Sequence, residues 1–354
     1  MQRIAIIADD LTGALDSAAA FAMQNLTTRV VTETAGFIDA LRDPGLQVVA
    51  VSTGTREGTA DNATATICMI GASLQEFDGL VFKKVDSRLK GHVAAEIAQL
   101  RRFRHAPPLA CPAIPRLNRF VIDGAVTGAG VPVPIDVAGR VGIARTIVDA
   151  TTDSDIDAAL PSRLDDNLYI GAAGLAEALA RRLAGQSHCP PLPPLPVPLL
   201  LAIGSRDPVT LSQLDAMSQS VVAAPDGIVP SFALHPVTVI QMTENTPDLD
   251  PGLAADSFAT GIASALRNGP RSLFACGGET AQAILKHLGI VRLDLLGEVL
   301  PGVPLSRCAD TGLIIVTKSG GFGTRDLLSN LIAHVDSHRP TTTPPATAKA
   351  RPDS

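Results

Sequence analysis

One stretch near the C-terminal end constrains this chain most: Leu313-Ile314-Ile315-Val316-Thr317-Lys318-Ser319-Gly320-Gly321-Phe322-Gly323-Thr324. Leu313 to Val316 are aliphatic and mostly β-branched, which predicts a buried strand. Glycines then open the backbone. Thr324 is placed to cap a helix whose apolar positions run Leu327, Leu328, Leu331 and Ile332. Strand, glycine-rich loop and helix together suit an anion. Free N–H groups and the positive end of the helix dipole converge there, and Lys318 adds a full charge. A second stretch repeats the device. Ser272 to Cys276 reads as a strand, Gly277-Gly278-Glu279-Thr280 as the loop, and Ala281 to Leu288 as a helix closed by Gly289. Glycines can simply shape tight turns. Two such loops in one region point to a nucleoside triphosphate or a similar polyanion.

The chain has 354 residues, enough for two cores, and 46% of them are hydrophobic. With no Trp and one Tyr, that core must be aliphatic. Basic residues number 29 and acidic residues 35, for a net charge of -6. No basic run or aromatic-interleaved patch occurs, which argues against nucleic acid as a partner. The N-terminus enters a strand directly (Arg3 to Ala8), with no signal peptide expected, and no apolar run is long enough to span a membrane. The five cysteines are scattered, without zinc spacing or a disulfide framework. A cytoplasmic location follows as the expectation.

Strands alternate with helices along the first half, predicting a mainly parallel sheet covered on both faces. Ligands of such sheets sit beyond the carboxyl ends of the strands. Asp9, Asp10, Arg56, Lys84, Val85, Asp86 and Ser87 all fall at those ends. They come from separate strands, so they can converge. Phe120–Gly124 and Gly130–Val133 look like a small hairpin. A proline-rich segment (188–198) marks a domain boundary. The expected organisation is α/β, with two domains, each a mainly parallel sheet flanked by helices, and a cleft between them. They comprise residues 1–187, which carry the charged strand ends, and 199–336, which carry both glycine loops. Residues 337–354 are rich in Pro, Thr and Ala and are expected to be disordered.

Asp9-Asp10 could hold Mg²⁺, bind hydroxyls or take a proton, although Asp10 could also simply cap the following helix. A haloacid-type phosphatase would need Asp-x-Asp, and Thr12 stands where the second Asp should be. A dinucleotide loop fails because Asp326 replaces the last glycine of Gly-x-Gly-x-x-Gly. No Gly-Lys-Ser/Thr ending of a P-loop occurs either. Arg56 could hold a carboxylate in bidentate fashion. The seven histidines show no metal-ligand spacing, and only His92 lies near the Lys84 loop.

Ala8-Asp9-Asp10-Leu11-Thr12-Gly13-Ala14, Lys83-Lys84-Val85-Asp86-Ser87, Gly171-Ala172-Ala173-Gly174-Leu175, Gly204-Ser205, Gly277-Gly278-Glu279-Thr280, Pro301-Gly302-Val303-Pro304 and Lys318-Ser319-Gly320-Gly321-Phe322-Gly323 occur in this order. Together they resemble the four-carbon acid sugar kinase family, over roughly residues 3 to 335. The resemblance implies a sugar-acid-binding N-terminal domain and a nucleotide-binding C-terminal domain. It implies ATP-dependent phosphorylation of the terminal hydroxyl of threonate, erythronate, 3-oxo-tetronate or a similar acid. It further implies acid contacts from Asp10, Arg56 and the Lys84-to-Ser87 loop, and ATP contacts from Ser205, the Gly277-to-Thr280 loop and Gly320. We add Lys318, Gly321 and Gly323 to the ATP set, and Asp10 or Asp86 as the base. Mg²⁺ is expected with ATP, but its ligands are not identifiable. A homo-oligomer is left open. The family pattern after Asp-Ser is usually Thr-x-Arg-Gly-Asn, whereas this chain has Arg88-Leu89-Lys90-Gly91-His92. That departure keeps a rival expectation alive, a non-catalytic sensor binding a nucleotide or an acid.

Overall fold

A computed structural model of the chain describes residues 2–143, 146–185, 191–267 and 269–337. The first half alternates as the sequence predicts: β1 (Ile4–Ala8), α1 (Leu11–Ala22), β2 (Thr28–Val31), α2 (Thr34–Leu41), β3 (Val48–Ser52), α3 (Ala60–Glu76), β4 (Leu80–Lys84) and α4 (Val93–Leu100). It continues through β5 (Pro108–Cys111), β6 (Arg119–Ile122), β7 (Ala125–Gly128), β8 (Ile135–Asp136), α5 (Val137–Val141), α6 (Asp153–Ala159), β9 (Leu168–Gly171) and α7 (Ala173–Ala184). The second half begins with β10 (Leu199–Ile203), α8 (Pro208–Asp215), β11 (Val221–Pro225), β12 (Val237–Thr243) and α9 (Pro251–Leu266). It ends with β13 (Ser272–Cys276), α10 (Gly278–His287), β14 (Arg292–Leu300), β15 (Val303–Cys308), β16 (Ile314–Lys318) and α11 (Leu327–Ser337).

These strands build one 13-stranded sheet in the order β11-β12-β10-β13-β16-β15-β14-β2-β3-β1-β4-β9-β5, with β6, β7 and β8 forming a separate small sheet. Each half holds a parallel block, as expected. The blocks are joined edge to edge. β14 pairs antiparallel with β2 and with β15, and β15 pairs antiparallel with β16. The Arg29–Asp294 ion pair (2.6 Å) spans the junction. The blocks therefore run in opposite senses along the sheet. Bulges near Gly297 and Val299 bend the joining hairpin, and sheet twist accumulates across it. Strand ends from both blocks consequently reach one cleft.

The inner strands of each block, such as β1, β3, β10 and β16, are buried on both faces, which explains their unbroken aliphatic runs. Alternation divides the second block cleanly. Leu199, Leu201, Phe274 and Val316 pack with Leu328 and Leu331 of α11. Leu200, Ala202, Leu273 and Ile315 share the opposite cluster with Phe258 of α9 and Ile284 of α10. The proline-rich segment forms no regular element over its described residues 191–198, and residues 188–190 lie outside the description. The expected disordered tail likewise lies outside it beyond residue 337.

Some local expectations need correction. The hairpin pairs residues 119–122 with 125–128, and Gly130–Val133 is not a strand. Its turn is Asp123-Gly124, both at positive φ (50° and 71°), the pair that a tight hairpin of matching twist requires. The α10 helix starts at Gly278, inside the stretch expected to be a loop, with Gly277 at its N-cap position. Thr324 does not cap α11, because its hydroxyl donates to Asp326 Oδ1 (2.6 Å).

Candidate active site

The first wall of the cleft grows from the ends of β1, β3 and β4. Asp10 caps α1, its Oδ1 accepting from Gly13 N (2.9 Å), while Thr12 Oγ1 donates to its Oδ2 (2.7 Å). Arg56 lies across both aspartates. Its Nε and Nη2 meet the two oxygens of Asp9 (3.0 and 2.7 Å), and its Nη1 meets Asp10 Oδ2 (2.7 Å). Asp86 Oδ2 stands 4.0 Å from Nη1. Burial opposes ionisation of Asp9, but the charge of Lys83, the hydrogen bond and charge of Arg56 and the charge of Lys84 outweigh it, so its pKa falls below the usual carboxylate range. Burial likewise opposes the Arg56 charge, yet the Asp9 hydrogen bond and the charges of Asp10, Asp9 and Asp86 raise its pKa further.

Lys84 donates to Val85 O (2.8 Å), and a side chain at Gly13 would crowd its ammonium. Val85 contributes backbone only, since its side chain is buried. Asp86 Oδ1 accepts from Arg88 N (2.9 Å) and Lys90 N (3.4 Å), which fixes the loop. Ser87 receives a hydrogen bond from Arg119. Beneath this wall Lys83 and Glu96 form a fully buried ion pair (2.9 Å), and Thr55 donates to Glu96 (2.7 Å). His92 sits at the start of α4 with its ring against Gly58 O (2.7 Å).

The opposite wall is the loop after β16. Lys318 is buried, and its ammonium donates to Ser319 O (2.9 Å), Gly320 O (3.0 Å) and Phe322 O (2.9 Å). This differs from a charge aimed directly at phosphates. In a trans peptide the N–H points opposite to the preceding carbonyl. Carbonyls turned toward Lys318 therefore turn the N–H groups of Gly320, Gly321 and Gly323 away from it. None of these three donates a hydrogen bond within the described residues. Outward, unpaired N–H groups of this kind are the sort that an anion-binding nest is built from. Only Gly323 needs glycine for its positive φ (95°). A Cβ at Gly320 would strike Ser205 Oγ, and one at Gly321 would come 2.9 Å from Asp207 Oδ2.

Gly277 and the first turn of α10, through Thr280, stand behind this wall. Gly277 has φ +108°, Thr280 is buried against Gly204, and Glu279 is exposed. Gly278 abuts the first wall, where a Cβ would lie 3.2 Å from Thr12 Oγ1 and 3.8 Å from Asp10 Oδ2.

Between the walls lies a cavity of about 940 Å³. Of the residues singled out from the sequence, Asp10, Arg56, Lys84, Asp86, Ser87, Lys318, Gly321 and Gly323 line it. Asp9, Val85, Ser205, Gly277, Gly278, Glu279, Thr280 and Gly320 do not. Sequence reasoning missed Arg116, Asn118, Arg119 and Asp207, and it read Pro301-Gly302 only as a motif. Asp207 was findable, because Asp before Pro208 at a strand end is a helix-cap signature, and its Oδ1 accepts from Val209 N (2.9 Å). Arg119 follows from the Asp123-Gly124 hairpin signal.

Among the described residues no group of three or more His, Cys, Asp or Glu side chains is arranged to hold a metal. Mg²⁺ on a nucleotide needs only one or two carboxylates, the phosphates and water completing its shell. Asp207 fits that requirement, lining the cavity beside the nest with Oδ2 facing Gly321.

Residues 4–136 match the sugar-binding N-terminal domain family and residues 238–328 the nucleotide-binding C-terminal domain family. A D-threonate kinase of Cupriavidus necator is 30% identical, the match covering 91% of this chain and 95% of that protein. The chain belongs to the four-carbon acid sugar kinase family. Another D-threonate kinase, from Bordetella bronchiseptica, is 28% identical over 402 aligned positions, covering 92% of this chain and 95% of the relative. Those positions outnumber the 354 residues here, so that family member carries internal segments this one lacks. A 3-oxo-tetronate kinase of Methylobacterium radiotolerans is 27% identical, covering 60% of this chain and 59% of its own length. A solved Salmonella typhimurium structure shares the fold at a TM-score of 0.76 and 18% identity, covering 94% of this chain and 99% of its own.

Proposed function

We propose that this family member is an ATP-dependent kinase that phosphorylates the terminal hydroxyl of a small four-carbon sugar acid, such as threonate, erythronate or 3-oxo-tetronate. One observation carries this reading: a single cavity has paired carboxylates on one wall and an amide nest on the other. Phosphoryl transfer asks a protein mainly to position reactants and stabilise charge. Asp10 or Asp86 accepts the proton of the attacking hydroxyl. Lys84 holds acceptor oxygens beside it. The N–H groups of Gly321 and Gly323 hold the phosphates. Asp207 would hold Mg²⁺, which neutralises phosphate charge when bound. The division of labour we propose is acid binding by residues 1–187 and nucleotide binding by 199–336, with the protein acting in the cytoplasm. No helix of the described residues is long and apolar enough to cross a membrane.

ATP consumption against a panel of four-carbon sugar acids tests the proposal. Turnover with at least one acid is expected. Binding of ATP or an acid without turnover across the panel would contradict it and favour a sensor.

A further inference from the structure

Two sequence motifs, Gly171-Ala172-Ala173-Gly174-Leu175 and Pro301-Gly302-Val303-Pro304, supply no reacting group. They meet in one cluster. Gly171 and Gly174 let the chain after β5 lie against the start of α7. A Cβ at Gly171 would strike Cys111 O, and one at Gly174 would come 2.5 Å from Ala113 O. Ile114 packs there with Ala172 and Ala173. Arg116 follows two residues later, clamped between Glu177 of α7 (2.6 Å) and Asp16 of α1 (3.4 Å).

The second motif forms the tip of the β14–β15 hairpin. Glu298 Oε2 accepts from Gly302 N (2.9 Å), which closes the tip. Burial first and then Asp16 push the Glu298 carboxyl up, Gly302 N–H and Arg116 draw it down, and Glu177 adds to the push. Arg116 thus answers three carboxylates, one of them from the second half. On its other side the tip meets the phosphate loop. Gly302 lies flush against the Phe322 ring, which any Cβ there would strike. Phe322 stands between Gly321 and Gly323, and its carbonyl accepts from Lys318 (2.9 Å) and Gln213 (3.0 Å). A displaced tip would free the ring and the backbone on both sides of it.

We propose that Arg116 and Glu298 are positioning residues for the nucleotide: Arg116, fixed on the first half, attracts Glu298, and Glu298 holds the Pro301-Gly302 tip against Phe322 so that the loop keeps its phosphate-binding shape. This rests on the kinase reading. It makes the nest depend on a charge supplied by the acid-binding half. Without that guanidinium, Asp16 and Glu177 would repel an ionised Glu298 and lift the tip.

KM values for ATP and for the acid, with calorimetric titrations of ATP and adenosine, test the inference. Arg116→Met should raise the KM for ATP by roughly tenfold, spare adenosine affinity and change the acid KM by less than about twofold. Arg116→Lys keeps the charge and should fall between wild type and Arg116→Met. Glu298→Ala removes the acceptor of Gly302 N and should weaken ATP as Arg116→Met does. Glu298→Gln keeps an acceptor and should hold the ATP KM near the wild-type value. In the double variant Arg116→Met with Glu298→Gln the repulsion is gone, so most of the ATP KM should return. A wild-type ATP KM in folded Arg116→Met and Glu298→Ala overturns the inference and leaves the kinase reading standing. So does a double variant no better than Arg116→Met. A rise in the acid KM alone would make Arg116 a substrate ligand and overturns it as well. If Arg116→Met does not fold, Glu298→Ala against Glu298→Gln decides. If the wild-type protein turns over no acid, the kinase reading falls, and the ATP titrations of the same variants still decide the coupling.

Discussion

Two strand ends of this molecule bury a lysine, and they satisfy it in different ways. At the end of β4, Lys83 meets a carboxylate, Glu96, with neither side chain exposed by more than 1%. At the end of β16, Lys318 meets backbone carbonyls and the Thr210 hydroxyl (3.3 Å) instead. Burial lowers the pKa of Lys318, while Cys276 and Asp207 pull it back. The first arrangement fixes side chains. It anchors the strand end beneath Asp9 and Arg56, and from there the charged wall. The second fixes backbone. It gathers carbonyls on one side of a loop so that N–H groups face the other. A sugar acid with hydroxyls and a carboxylate calls for placed side chains, whereas a triphosphate can be held by amides alone.

The largest effect should come from breaking the first pair. Lys83→Met leaves Glu96 buried and unpaired, and should cost about 3–5 kcal/mol of stability in denaturant titrations. The double variant Lys83→Met with Glu96→Leu should recover much of that; if it does not, the pair does more than balance charge. Next in size is the base. Asp10→Asn or Asp86→Asn should lower kcat by about 10²–10⁴-fold. Wild-type turnover in both would remove the base from this wall. A smaller effect is expected on the amide side. Gly321→Val places a side chain between the nest and Asp207, and should weaken ATP by roughly tenfold in the folded protein while sparing adenosine. A lower melting temperature with unchanged ATP affinity would reduce the glycines to turn formers.

The smallest effect concerns the hairpin tip between the walls. The Glu298 carboxyl is pushed up to about 7, first by burial and then by Asp16 and Glu177, against the Gly302 N–H and Arg116. The folded protein then holds a proton that the unfolded chain releases near 4.5, so this group's contribution is full below that value and is lost as pH rises through about 7. Glu298→Gln should match wild type near pH 4 and melt higher at pH 8. Equal melting temperatures at both would mean that the carboxyl is solvated.

Much of this was legible in the sequence. The alternation of elements and the aliphatic runs gave both parallel blocks, because strands buried on two faces leave little room for polar residues. Asp9, Asp10, Arg56 and Lys84 were recognisable because strand ends of parallel sheets open on the cleft. What stayed hidden was pairing between distant edges. Nothing in Arg292–Leu300 announces that it will join β2, since an antiparallel edge depends on a partner far along the chain. The direction of the Lys318 side chain was hidden for a related reason. A lysine beside glycines reads as a phosphate ligand until the carbonyls around it are located. Arg119 was missed because its role depends on a three-stranded sheet whose hairpin was misplaced.

The central claim is that Lys318 serves the nucleotide through the loop it organises rather than through its own charge. Calorimetric titration of ATP and adenosine into folded Lys318→Arg tests it most directly. Arginine keeps the charge, but its planar fork cannot gather the carbonyls of Ser319, Gly320 and Phe322 around one point. The account predicts that ATP affinity falls by roughly tenfold or more while adenosine affinity holds. Wild-type ATP affinity in Lys318→Arg would contradict it.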